Sequence, residues 1–279
     1  MTILVTGATG KVGKSLVERL HEANAPVLLA TRSGTAELPS KAVKFDWFDE
    51  ETYAAPFEAD PNIDKIFLIQ PAIFDPLVYI KPFVELAIAM GVKRIIYVSS
   101  SALEKGDFVN GKVHEYLADR GVDYVILRPT SFTENFGTVY YHSIREKNEI
   151  FSACGDGKVA YVSVDDITQA ACDALLAEKT TNNDVIIVGP QLYSHDEIAA
   201  LLSDVLGRKI THRKLTSEEF RKALLNFGME EKYAGMLVYI HEQIASGNEA
   251  AVTKTPNAYH GKYSLPEYFK AHKDTWIKA

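Results

Sequence analysis

Apolar residues along this chain fall into two alternating rhythms. Short, β-branched runs occur at TILVT (2–6), PVLLAT (26–31), VKFDW (43–47), KIFLIQP (65–71), RIIYVSS (94–100) and DYVILRP (123–129). Amphipathic stretches separate most of them. After the first run, Val12, Leu16 and Leu20 recur at the spacing of one helix face. Strand–helix–strand repetition of this kind predicts βαβ units, and so a Rossmann-type α/β fold with a doubly wound parallel sheet.

Past residue 150 the rhythm loosens. The run DVIIVGP (184–190) reads as a strand returning to the sheet. Ser194–Glu197 and Thr216–Glu219 spell capping boxes, each opening a helix. A third helical stretch, EEKYAGMLVYIHEQIASG, meets a stop at Gly247. Asp165 and Asp166 read as an N-cap pair for a further helix. The expected division is a nucleotide-binding Rossmann domain over residues 1–150 and a smaller, mostly helical substrate lobe over 151–279.

Composition narrows the class of partner. Thirty Lys and Arg against 37 Asp and Glu give a net charge of −7, without the basic stripe that nucleic-acid phosphates require. The two cysteines, Cys154 and Cys172, lack metal-type spacing, and no His/Cys cluster suggests a metal centre. Cysteine this sparse suits a reducing compartment. A strand-like run starting at residue 2 leaves no room for a signal peptide, and no apolar stretch approaches the ~20 residues of a membrane span. A cytoplasmic protein without a membrane segment is expected. An apolar helix face serves a core or a homodimer equally well, so the oligomeric state stays open.

The densest chemical signal is TILVTGATGKVGKSLVERL. Gly7, Gly10 and Gly13 follow a strand and open a helix, the context in which a glycine pattern binds a dinucleotide. Gly7 permits the tight turn, Gly10 lets backbone approach a pyrophosphate, and Gly13 lets helix and strand pack closely. The helix N-terminus then offers unpaired N–H groups to the phosphates. An NAD site would end the second strand in an acid to bond the ribose. Here that strand ends in Thr31-Arg32-Ser33, and the Arg32 fork with the Ser33 hydroxyl suits a 2′-phosphate instead. Lys11 adds a cation inside the loop. NADP(H) is the expected cofactor.

TGATGKVG, the serine-rich end of the fifth strand and LRPTSFTENF (127–136) resemble atypical short-chain dehydrogenases of the NmrA-like type. Within that group KFDWFDEETY (44–53), GKVHEYL (111–117), IFSACGDGKVAYVSVDDI (150–167) and LGRKITHRKLT (206–216) look closest to the fungal festuclavine/agroclavine dehydrogenases of ergot alkaloid biosynthesis. The resemblance spans most of the chain. It implies NADP(H) binding and reduction of an imine or iminium carbon in a small, alkaloid-like substrate. It puts Gly7, Thr9, Gly10, Lys11 and Val12 on the phosphate loop and Asp46 within reach of the adenine amino group. Gln70 and Pro71 fall beside the ribose–nicotinamide path, Ser99 by the cofactor, and Pro129 and Thr130 where backbone holds the carboxamide. Ser131 and Thr133 replace bulkier residues of that family, which points to a different or larger substrate.

Carbonyl-reducing relatives use a serine with Tyr-x-x-x-Lys to protonate the developing alkoxide. The resemblance places Ser101 at the serine position. Tyr116 has Arg120, not lysine, four residues on, and arginine does not release its proton. Tyr116 suits an apolar helix face equally. His114, where the family also carries a histidine, is a candidate to orient substrate or shuttle a proton. Hydride transfer to an iminium yields a neutral amine and needs no proton in that step. Such a site needs shape, exclusion of water and aromatic faces toward the positive charge; Phe132, Tyr161 and Tyr239 are candidates, each equally a core residue. The competing readings are an NADP(H)-sensing regulator without turnover, quinone reduction, and a non-redox cyclisation on an iminium.

Overall fold

The computed structural model describes residues 1–37, 40–180, 183–256 and 258–278. Among them, eight strands form one sheet: β1 (Thr2–Thr6), β2 (Val27–Thr31), β3 (Lys41–Lys44), β4 (Ile63–Leu68), β5 (Arg94–Val98), β6 (Asp123–Pro129), β7 (Asp184–Val188) and β8 (Tyr259–His260). Their order is β8-β7-β6-β5-β4-β1-β2-β3. The pairs β1–β2, β2–β3, β1–β4, β4–β5, β5–β6 and β7–β8 are parallel. The order reverses at β1, with β2 and β3 on one side and β4 onward on the other. This is the doubly wound Rossmann-type sheet that the alternation predicts, and its switch point lies between β1 and β4.

The helices of seven residues or more are α1 (Lys11–Glu22), α2 (Leu77–Ala89), α3 (Asn110–Asp119), α4 (Val164–Leu176), α5 (His195–Leu206), α6 (Ser217–Asn226), α7 (Glu231–Ala245) and α8 (Leu265–Ala271). Among the described residues no helix is long and apolar enough to cross a membrane. The chain packs as two units, Met1–Arg128 with Ile167–Val185, and Pro129–Asp166 with Ile186–Ala279.

In the first unit, β-strand alternation sends Leu4, Ile66, Ile95 and Tyr97 into one core with Ile80 and Phe83 of α2 and Val113 and Leu117 of α3. Helix α1 buries Val12, Leu16, Val17 and Leu20, the face read from their spacing. Its polar edge is pinned to α4: Ser15 Oγ lies 3.0 Å from Thr168 Oγ1, and Arg19 donates to Thr168 and Gln169 at 3.0 and 2.8 Å. The buried Arg94 pairs with Asp123 at 2.6 Å and donates to the carbonyls of Ala174 and Ala177. A cation is thereby held against the negative C-terminal end of α4.

The third strand departs from expectation. VKFDW reads as β over 43–47, but β3 ends at Lys44. Phe45 N–H still bonds Thr31 O at 2.8 Å, and then the chain turns, because Asp46 Oδ1 accepts the Phe48 N–H at 3.0 Å. The aromatics serve packing instead of the sheet: Phe45, Trp47, Tyr53 and Phe83 meet ring to ring at 4.8–6.2 Å.

In the second unit, Glu149–Ser152 pairs in parallel with Thr211–Lys214, and Lys158–Val159 antiparallel with Tyr193–Ser194. Both expected capping boxes are formed, at Ser194–Glu197 and Thr216–Glu219, and a third, Ser264–Glu267, opens α8. The start of α4 differs from its reading as an Asp165–Asp166 cap. Ser163 takes the Asp166 N–H at 3.0 Å, so Ser163 is the cap and Asp166 lies inside the first turn. The Asp166 carboxylate, 3% exposed, accepts from Ser163 Oγ and from the backbone N–H groups of Lys262 and Tyr263 at 2.9, 3.0 and 3.2 Å. Gly261 makes room for it: an added Cβ would stand 2.5 Å from Asp166 Oδ2. Asp166→Ala strands these donors in a buried place and is expected to cost about 2–4 kcal/mol. A urea-unfolding midpoint unchanged from wild type would refute this anchoring role.

Candidate active site

The turn from β1 to α1 is set by close approach. Gly7 has φ +62°, and a Cβ there would meet Ile69 Cβ at 3.1 Å. At Gly13 the added atom would lie 2.2 Å from the Gly7 carbonyl oxygen, so the position admits glycine alone. Gly10 is the N-cap residue of α1 and supplies no capping side chain, which leaves the helix's first N–H groups open to an anion. Thr6 Oγ1 accepts the Ile69 N–H at 2.8 Å and so ties the end of β1 to the segment leaving β4.

A cavity of about 440 Å³ opens at these strand ends, lined among others by Gly7, Thr9, Arg32, Asp46, Gln70 and Pro71. Its position at the carboxyl ends of β1, β2 and β4 is where a doubly wound sheet binds nucleotides. Arg32 is exposed at its edge and makes no ion pair among the described residues. Ser33 is bound up in its own turn, donating to Thr35 O at 3.0 Å. Gln70 is held from two sides: Tyr97 OH donates to its carbonyl oxygen, and its amide donates to Asn110 Oδ1 at 3.3 Å. Asn110 follows Val109, a β-branched residue at φ +53°, a backbone state that costs on the order of 1–3 kcal/mol and that the surroundings must enforce. A second cavity, about 450 Å³, shares Thr9 and is lined by Lys14 and Thr35. Lys11 lines neither cavity; Lys14, which the sequence reading passed over, is the lysine beside Thr9. Val12 is 7% exposed and belongs to the core face of α1. A loop whose close approaches demand glycine at positions 7 and 13, an uncapped helix start and an exposed guanidinium at the second strand's end fit a dinucleotide bearing a 2′-phosphate.

The candidate acid/base residues of this unit sit in varied settings. Ser99 Oγ is buried without a hydrogen-bond partner. Ser101 is 4% exposed, and its carbonyl accepts from Arg128 at 3.1 Å. Arg128, 2% exposed, also bonds Ser100 O and pairs with Glu104 and Asp184 at 2.6 and 3.0 Å. This one guanidinium fixes the serine segment, and the sequence reading missed it. His114 is 3% exposed with Nδ1 unpartnered, and burial lowers its pKa below the usual imidazole value. Tyr116 is engaged elsewhere: its hydroxyl donates to Glu85 at 2.7 Å while Arg120 holds the other carboxylate oxygen at 2.5 Å. Burial, reinforced by Glu85, pushes the phenol pKa well up.

In the second unit, Thr130 is buried, with its hydroxyl on Ala160 O and its N–H on Ile187 O at 2.9 Å. It directly follows Pro129, the last residue of β6. Phe132 bridges to Val162. A cavity of about 360 Å³ is walled by Tyr140, Phe151, Tyr161, His195, Phe220 and His241, with Ser131 at its edge. Of the three aromatic candidates, Tyr161 lines this cavity; Phe132 and Tyr239 do not. His195 Nε2 is 3.1 Å from Tyr161 OH, and its ring stacks on His212 at 5.2 Å. His212 spends both nitrogens, on Asp196 and Ser152, each at 2.9 Å. The histidines 195, 212 and 241 carry no motif spacing, and only the packing of β-pairs against α5 and α7 assembles them. No ligating group among the described residues is arranged for a metal.

Comparison with known proteins agrees with this geometry. The NmrA-like family model matches residues 1–269. The chain is 38% identical over 259 residues to an agroclavine dehydrogenase of Claviceps purpurea (strain 20.1), covering 90% of this chain and 89% of that protein. It is 34% identical over 278 residues to festuclavine synthase II of Penicillium roqueforti (strain FM164), covering 97% and 96%. Among solved structures, Citrobacter sp. triphenylmethane reductase complexed with NADP(H) superposes with a TM-score of 0.74 at 25% identity, over 97% of this chain and 99% of that one. The resemblance read from the glycine loop and LRPTSFTENF is borne out: this chain belongs to the NmrA-like family and is related to the clavine alkaloid dehydrogenases.

Proposed function

We propose that this chain is an NADPH-dependent reductase of a cyclic imine or iminium in alkaloid-type secondary metabolism. The observation that carries the reading is the tie between Tyr116 and Glu85. The tyrosine with the spacing of a carbonyl-reductase acid is bound to a carboxylate and held by Arg120, so it is not poised to protonate an alkoxide. A substrate that already bears positive charge at nitrogen makes that acid unnecessary. The names of the similar dehydrogenases point the same way.

Bound NADPH supplies the hydride. The chain's own residues hold and orient it: the Gly7–Gly13 turn and the start of α1 would take the diphosphate, and Arg32 with Lys14 the 2′-phosphate. Asp46 would reach the adenine amino group, and Gln70 and Pro71 would flank the ribose path. Ser99 and Ser101 lie in the segment after β5 whose backbone Arg128 fixes at Ser100 and Ser101, and His114, buried and neutral, would act as a positioning residue. In the second unit the aromatic lining of Tyr161, Tyr140, Phe151 and Phe220 would set rings beside a cation.

Burial holds His195 to a pKa of about 3, with charge repulsion from His241 and His212 adding, and burial holds His241 to about 4. Both rings are neutral at neutral pH, so neither repels a cationic ligand.

Three measurements test this reading. NADPH absorbance should fall with cyclic imines and iminium salts, and not with simple aldehydes. Tight NADPH binding without oxidation by any of these would sink the reductase and favour a cofactor-sensing role; oxidation by quinones alone would favour quinone reduction. Arg32→Ala should reduce the preference for NADPH over NADH by ~10–100-fold, the loss of a charge-assisted pair; an undiminished preference rejects Arg32 as the phosphate reader. Because the unfolded chain protonates these histidines near 6.5 and the folded chain only near 3–4, stability is full above about 6.5 and declines as pH falls below it. The expected slope is about 1.4 kcal/mol per pH unit for each histidine. Urea unfolding from pH about 7 to 4 should show a shallower loss in His195→Gln, and equal slopes would contradict the assignment.

A further inference from the structure

The segment that leaves β4 is gripped from several sides, and one of the grips has a direction. Thr6 Oγ1 takes the Ile69 N–H, and the Trp47 indole N–H donates to Ile69 O at 3.1 Å. Next along the chain, Gln70 lines the switch-point cavity and is partly exposed. Its side-chain amide lies between Asn110 and Tyr97, and the polarity of this chain of bonds is set at its far end. A carbonyl oxygen only accepts, so Val98 O, 3.5 Å from Asn110 Nδ2, decides which end of the Asn110 amide is nitrogen. Asn110 Oδ1 is thereby turned to Gln70 and accepts its Nε2–H at 3.3 Å. That leaves Gln70 Oε1 for Tyr97, whose phenol donates to it. Tyr97 is fully buried on β5, so the chain of bonds runs from the core to the cavity.

Asn110 reaches this place against a backbone preference. Val109, 3% exposed and at φ +53°, turns the chain into α3, and the contacts of Gly111 hold the turn. A Cβ added at Gly111 would lie 2.3 Å from Glu104 O, and Gly111 O accepts the Gly106 N–H at 2.9 Å. Glu104 is in turn paired with the buried Arg128. Phe74 and Phe108 stack at 6.2 Å and 13°, which joins the segments after β4 and β5 a second time. Strain kept beside a ligand cavity points to a position that function needs.

We infer that Asn110 is a positioning residue for NADP(H): with Tyr97 it fixes the amide of Gln70, and Gln70 in turn bonds a ribose hydroxyl of the cofactor. The inference rests on Gln70 meeting bound cofactor, as proposed above. Two of the four bonding positions of the Gln70 amide are spent, which leaves one N–H and one oxygen lone pair. A ribose hydroxyl both donates and accepts, so it suits either position. An untethered glutamine would lose rotamer freedom when cofactor binds, whereas this one is already fixed. Asn110 therefore acts on the cofactor through Gln70 and needs no contact of its own.

The test is a double-mutant cycle on the full chain, read by NADPH binding through nucleotide fluorescence or calorimetry. Gln70→Ala should raise the NADPH Kd ~3–10-fold, the loss of one neutral hydrogen bond. Asn110→Ala should raise it by a similar factor alone, and by less than ~2-fold when Gln70 is already Ala. Additive effects mean that Asn110 acts independently of Gln70, and they overturn the inference. An NADPH Kd unchanged in Gln70→Ala overturns it together with the assignment of Gln70 to the cofactor. Two fragments, 2′,5′-ADP and reduced nicotinamide mononucleotide, identify the ribose: Asn110→Ala should weaken one and spare the other. Weakening both alike is a general loss of the site and rejects the positioning role, as does weakening neither. If Asn110→Ala fails to fold, Tyr97→Phe gives the same cycle, since it takes one oxygen from Gln70 and leaves the ring in the core. No turnover is read, so a coupled pair in a protein that reduces no imine upholds this inference and rejects the imine reductase.

Discussion

A single carbon would break the β1–α1 unit. The Gly13 Cα lies so close to the Gly7 carbonyl that an added Cβ would stand 2.2 Å from its oxygen, and the distance is fixed by backbone, which cannot swing aside. This contact decides how steeply α1 leaves the sheet, and therefore where its first N–H groups point. Those groups face the carboxyl end of β1, and Thr6 ties that end to the segment after β4. The cavity lies at the switch point, where the ends of β1, β2 and β4 converge and Gly7 carries no side chain into the space. Helix α1 is then held along its length by Ser15 and Arg19 on α4, so the turn alone does not bear the geometry.

Buried ions do the remaining positioning, and each is used to satisfy backbone. Arg128 spends its fork on two serine carbonyls and two carboxylates, Arg94 on helix-end carbonyls and Asp123, and Asp166 on two backbone N–H groups and a cap hydroxyl. A buried charge is costly unless paired and hydrogen-bonded. These three are, which makes each an anchor whose loss leaves uncompensated polar groups.

What could be read from the sequence follows from what is local. Strand alternation, the Val12–Leu16–Leu20 face, the glycine loop and two capping boxes each depend on residues a few positions apart, and all are present. Gly7 and Arg32 were legible from the loop and the end of the second strand, and Thr9, Asp46, Gln70 and Pro71 through the family resemblance; all six line one cavity because the strand ends of a doubly wound sheet meet by topology. The misreadings have physical reasons. VKFDW has strand-forming residues, but Asp46 bonds its own turn and the aromatics prefer a ring cluster. The Ser264–Glu267 box opens a helix too short for a periodic signal, and β8 is two residues long. Arg128 in an apolar strand was a visible anomaly whose partners, Glu104 and Asp184, were not. The histidine stack joins α5, α7 and a strand pair, and no local pattern announces it.

The charge balance of the second-unit cavity gives that stack a consequence on the proposed reading. A protonated imidazole about 5 Å from a ligand cation would oppose it by about 3 kcal/mol at an effective dielectric near 20. One aromatic face returns only about 0.5–2 kcal/mol, so a single charged histidine would cancel more than any one of these faces supplies. The burial that lowers the pKa values of His195 and His241 removes this opposition without needing a carboxylate in the wall. A carboxylate there would itself require desolvation, and it would hold a cationic substrate more tightly than the neutral amine formed from it by only as much as it also resists losing that charge. Neutral imidazoles avoid this conflict. On that reading they leave the cation to the aromatic faces and oppose neither the charged substrate nor its neutral product.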